Sequence, residues 1–127
     1  MVDRFEDIIA WQRARELTRR VYEITQTGTL GRDWGLANQL QRASVSVMAN
    51  IAEGFERNRA GEFHQALSVA KGSCAEVRSH LYVALDAGHI GKDEFDELQR
   101  IAGEVSRLVG GLRASIDRRR DRGGPDT

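Results

Sequence analysis

Arg42, Ser46, Asn50 and Glu53 stand four, four and three residues apart, the spacing that stacks side chains along one face of an α-helix. Ser73, Glu76 and His80 form a second polar stripe further along the chain. A guanidinium, a hydroxyl and a carboxylate on neighbouring turns are compatible with three roles. Nucleophilic catalysis is the first, and it needs a base beside the serine. No histidine lies near Ser46, and no Gly-x-Ser-x-Gly turn presents a nucleophile. The second role is polar packing between helices or subunits, which suits the small neighbours Ala43, Ala49, Ala52 and Gly72. An Arg42–Glu76 pair buried there would specify register more than it would stabilise. The third role is a solvated helix flank. The polar set Arg42, Ser46, Asn50, Glu53, Ser73 and Glu76 is therefore expected to be structural, with no catalytic residue among it.

The remaining reactive groups are scattered. His64, His80 and His89 are sixteen and nine residues apart, so no two share adjacent turns of one face. No Glu-x-x-His pair repeats as in di-iron bundles, and Glu62-Phe63-His64 points its two ligands apart. The segment from Gly28 to Gly35 lacks the Gly-Lys-Ser/Thr ending of a phosphate loop. Cys74, the single cysteine, falls on an apolar stripe and reads as a buried, inert thiol. The expectation is no metal and no cofactor. Trp11 reads as core, and Trp34, between Asp33 and Gly35, as a bundle-end or interface residue.

Long helices are needed to hold these stripes. The only proline is Pro125, in a chain rich in Leu, Ala, Arg, Glu and Gln. Glycine-rich breaks near residues 28–35, 58–61, 88–91 and 123–125 leave four segments with apolar residues at helical spacing. They are Phe5 to Ile24, Leu36 to Phe55, Phe63 to Leu85 and Phe95 to Ile116. Asp33 is placed to cap the second helix and Gly88 to end the third. Asp93, Glu94, Asp96 and Glu97 complement the dipole at the start of the fourth, as Arg118, Arg119 and Arg120 do at its end. Helices of roughly 22–27 residues span about 33–40 Å, and short connections make neighbours antiparallel. The prediction is an all-α, up-down-up-down four-helix bundle over residues 3–118, with a flexible basic tail over 119–127. A turn near residue 60 would set Arg42 level with Glu76 to Arg78, and Ser46 and Asn50 level with Gly72 and Ser73. Gly54, Gly72, Gly103, Gly110 and Gly111 fall inside helices and mark either close helix approach or a hinge or partner contact.

Composition narrows the function without naming it. Of 127 residues, 40% are hydrophobic and 30% charged, and nineteen basic side chains balance nineteen acidic ones. A pI near 6.8 excludes a uniformly basic nucleic-acid binder. No run approaches the ~18 apolar residues of a membrane span, and no secretory leader pattern opens the chain. The chain is read as soluble and cytoplasmic.

The string Gln39-Leu40-Gln41-Arg42-Ala43-Ser44-Val45-Ser46-Val47-Met48-Ala49-Asn50-Ile51-Ala52-Glu53-Gly54 resembles the signature of a bacterial four-helix-bundle family. That family is encoded by intervening sequences of large-subunit ribosomal RNA genes. Trp11-Gln12-Arg13-Ala14 with Leu17, Val21 and Tyr22 is similar to its first helix. Arg57, Glu62-Phe63, Leu67, Ala70-Lys71-Gly72-Ser73 and Glu76 are similar to its third. The resemblance spans roughly residues 5 to 112. Met48 stands where the family usually has proline, so a straighter second helix is expected.

The resemblance implies a homopentameric barrel, in a family mostly without established activity. It also implies kinship with an accessory protein of diversity-generating retroelements, which associates with a reverse transcriptase and with nucleic acid. Arginine patches here that would meet phosphate are Arg13, Arg19 and Arg20, and Arg113, Arg118, Arg119 and Arg120. Dipole complement and a solvated face explain the same residues without a ligand. The expected function is a non-catalytic oligomeric scaffold, associated with RNA or DNA and a protein partner. The alternative is a purely structural or protein-binding oligomer.

Overall fold

The computed structural model describes residues 2–122. Its elements are a 3-10 turn at Phe5–Asp7 and five helices: α1 (Ile9–Thr25), α2 (Gly28–Arg32), α3 (Trp34–Glu56), α4 (Ala60–Asp86) and α5 (Lys92–Asp121). Four of these are long and correspond to the four predicted stripes. The fifth, α2, occupies the first glycine-rich break with a single five-residue turn. It forms because Gly28 takes a left-handed φ of 61° and redirects the chain between α1 and α3. Asp33 then caps α3, its carboxylate accepting the Leu36 amide at 3.3 Å.

The other boundaries have local causes. Gly88 adopts φ 77° and closes α4. Its amide donates to the Leu85 carbonyl at 3.0 Å, while the His89 amide donates to Ala84 at 2.9 Å. This pair satisfies carbonyls that the helix end would leave open. Asn58, at φ 57°, turns α3 into α4. Helix α3 runs unbroken through Met48. Helix α5 continues to Asp121, past the boundary expected at 118, because Arg118, Arg119 and Arg120 complement its C-terminal dipole. Residues 123–127 of the expected tail lie outside the described residues.

Around the bundle, α1 packs on α3 and α5, and α4 packs on α3 and α5. Contacts fix antiparallel neighbours: Ser46 meets Ser73, Lys71 meets Ser106, and Arg13 meets Glu104. Apolar stripes converge on one core, where Leu17, Val21, Leu40, Val47, Ile51, Leu67, Val77, Leu81, Leu98 and Val105 are fully buried. Each such side chain contributes about 1.5–3 kcal/mol of transfer free energy.

Two expectations change. Trp11 is half-buried at the core's edge, its ring edge-to-face with Phe5 at 5.1 Å. Of the five mid-helix glycines, Gly54 alone sits at a close crossing, where a Cβ would lie 2.6 Å from Ala66 Cβ. Gly72 and Gly111 face open space. Among the described residues, no helix is long and apolar enough to cross a membrane.

Candidate functional site

The α3–α4 pair carries the predicted polar stripes, and its register matches the sequence reading. Ser46 Oγ and Ser73 Oγ share a hydrogen bond of 2.8 Å. Asn50 Nδ2 donates to the Ser46 carbonyl at 2.9 Å and reaches its Oγ at 3.2 Å. This chain joins both helices, and Ser73 is buried beneath it. A buried hydroxyl left unpaired would cost about 1–3 kcal/mol, so each serine needs the other.

Beside it opens a groove of about 480 Å³ lined by Asn38, Gln39, Arg42, Ala43, Ser46, Ser73 and Glu76. Arg42 and Glu76, which the register allowed to pair, form no ion pair with each other. Both are exposed, so water solvates each charge and no desolvation drives them together. Glu53 lies further along α3, also exposed. The groove walls contain no histidine, and Glu76 is the one carboxylate among them.

The remaining titratable groups serve other ends. His89 bridges two loops, its Nδ1 2.7 Å from Thr29 Oγ1 and its Nε2 3.0 Å from Asp33 Oδ2. The His89 contact and the Leu36 amide hold the Asp33 carboxyl below its usual range. Sequence spacing missed this cluster, because its members are separated by 60 and 56 residues; only the capping role of Asp33 was legible. Cys74 is buried with its thiol against the Ala102 carbonyl at 3.2 Å, and burial pushes its pKa up to about 11. Among the described residues, no group of three His, Cys, Asp or Glu converges as a metal site.

The arginines divide by location. Arg13 pairs with Glu104 of α5 and with Glu16 at 2.6 Å; Arg20 pairs with Glu23 and reaches Glu97 at 3.1 Å. Hydrogen bonding to Glu104 raises the Arg13 pKa, and bonding to Glu97 and Glu23 raises that of Arg20. Arg19 joins Glu23 at 2.8 Å. These three form an ion-pair ladder along α1, two rungs of it reaching α5. Arg118, Arg119 and Arg120 are exposed on the last turn of α5, while Arg113 is half-buried with its Nε unpartnered. Trp34, at 80% exposure, stands open at the start of α3.

An antiparallel bundle of four long helices with a polar seam on its second hairpin defines the structural class. A crystal structure of a protein of unknown function from the S23 ribosomal protein family of Bacteroides thetaiotaomicron shares the fold. Its TM-score is 0.75 at 17% identity, covering 83% of this chain and 98% of that one. The family model of 23S rRNA-intervening sequence proteins matches residues 6–111, and the chain belongs to that family. Comparison with the curated proteins gave no match.

Proposed function

We propose that this protein is a non-catalytic cytoplasmic scaffold that assembles with copies of itself through the outer face of α3 and α4. The observation that carries the reading is an asymmetry of charge pairing. Of the α1 arginines, Arg13, Arg19 and Arg20 are neutralised by carboxylates on α1 and α5, while Arg15 lies over the Trp11 ring. On the α3–α4 face, Arg42, Glu53 and Glu76 lie exposed without ion pairs, among exposed Val45, Val69 and Val83. A patch carrying both signs of charge is self-complementary, as an interface between identical chains requires. Gly72 supports the same reading, since a helix-weakening residue on open surface permits a close approach from outside. Five copies is the number the family resemblance implies.

Light scattering at micromolar concentration tests it. A multiple of 14.2 kDa is expected, and a mass of 14.2 kDa would contradict it.

Nucleic-acid association is a second reading, favoured by the exposed end of α5. Arg119 and Arg120 share with Arg59 a hollow of about 1000 Å³ at that end of the bundle, although Asp3 and Glu56 also line it. Binding through these groups should fall with salt at a slope near one unit per phosphate contact. A titration with structured RNA and duplex DNA measures this, and replacing Arg118, Arg119 and Arg120 by glutamine should abolish it. No binding at low salt leaves the scaffold reading alone, and a pull-down then tests for a protein partner.

A further inference from the structure

Helix α5 turns two different sides to its neighbours. Toward α1 it presents Glu97 and Glu104, each met by an arginine. Toward α4 it presents Ser106, Gly110, Arg113 and Asp117 at helical spacing, and α4 answers with His64, Ser68 and Lys71. The register is fixed at both ends of these rows. Lys71 Nζ donates to Ser106 Oγ at 2.9 Å and to its carbonyl at 3.3 Å. His64 Nε2 lies 3.0 Å from Asp117 Oδ1. Arg113 falls between these levels on the same face, about one turn before Asp117 and about two turns after Ser106.

Charge in this seam is unbalanced. Lys71 is half-buried and bonded only to neutral oxygens. Arg113 is half-buried too, with a buried Nε that has no partner. Asp117 is the one acid in the two rows, and it lies at His64. Two partly desolvated cations facing one seam are costly unless an anion joins them. Gly110 lies directly beside the ammonium, where a Cβ would sit 3.5 Å from Lys71 Nζ. Ser106 Oγ accepts from Lys71 and so retains its own proton for donation.

We propose that the α4–α5 seam binds an oxyanion of the phosphate class, with Lys71 and Arg113 as its charged contacts and Ser106 as a hydroxyl donor. A guanidinium supplies paired donors to such an oxyanion, and an ammonium adds a compact charge. The seam is separate from the α3–α4 face, so the proposal does not rest on self-assembly.

Inorganic phosphate, titrated into the full chain against chloride at constant ionic strength, provides the test. Phosphate should raise Tm by several degrees in a saturable way, as a ligand of the folded state does. Lys71→Gln and Arg113→Gln should each weaken that binding at least tenfold, whereas Arg13→Gln, on the paired side of α5, should leave it unchanged. Lys71→Arg should retain it. Light scattering and the phosphate-free Tm of each variant verify assembly and folding independently. A single-stranded RNA lacking terminal phosphates serves as competitor. Displacement of phosphate by it assigns the site to a nucleic-acid backbone, and no displacement assigns it to a free phosphate or phosphate monoester. An equal response to phosphate and chloride, or unchanged phosphate binding in Arg113→Gln, overturns the proposal.

Discussion

Gly54 and Gly72 look alike in sequence, each a glycine inside an amphipathic helix, yet their surroundings are opposite. A methyl group on Gly54 would meet Ala66 Cβ at 2.6 Å and Phe63 Cδ1 at 3.0 Å, where α3 crosses α4. Overpacking of this kind costs about 1–3 kcal/mol and outweighs the gain in helix propensity. Gly54→Ala should therefore lower the urea midpoint. Gly72→Ala meets nothing within 4 Å and should raise the stability of the single chain by up to about 1 kcal/mol. Urea unfolding of both variants at matched protein concentration checks the difference in sign. Both glycines were legible as features of helices in the sequence. Which of them lay at a crossing was not, because helix propensity says nothing about what stands opposite.

At the scale of elements, two devices tie the helices together besides the core. The first is the bridge from Thr29 of α2 through His89 to Asp33 at the start of α3. Asp33 has its pKa lowered in the fold from an ordinary 3.8, so its contribution is fully present above that value. It is lost as pH falls through the lower, folded-state pKa. Asp33→Asn should thus reduce stability at pH 6 and narrow the difference from the parent protein below pH 4, measured by thermal unfolding across that range. The second device is the ladder between α1 and α5. Arg20 is mostly covered and Glu97 is nearly half exposed, so their coupling should be about 0.2–1 kcal/mol and should shrink in high salt. A double-mutant cycle with Arg20→Gln and Glu97→Gln measures it directly.

The whole molecule is a bundle with unequal sides. Ion pairs close the α1–α5 side, and the α3–α4 side combines exposed valines, unpaired charges and an open glycine. An interface core tolerates a buried carboxylate poorly. Val45→Glu, on the outer face of α3, should accordingly weaken assembly by tenfold or more while leaving the helix content of each chain intact. Light scattering with circular dichroism on one sample separates loss of assembly from loss of fold. An unchanged mass for Val45→Glu would remove this face from the interface.

Apolar periodicity by itself determined four long helices, the core face of each, their antiparallel order and the register of α3 on α4. The Ser46–Ser73 bond lies where that register put it. Periodicity succeeds here because burial depends only on a residue's angle about its own helix, which recurs every 3.6 residues. Only the tertiary structure decided how the charged residues are matched. It joined Arg13 to Glu104 across 91 positions and Arg20 to Glu97 across 77, left Arg42 and Glu76 unpaired, and set Lys71 on Ser106. Those outcomes depend on the rotation and axial offset of one helix against another. Both are set by side-chain packing between segments far apart in the chain, and no local spacing records them.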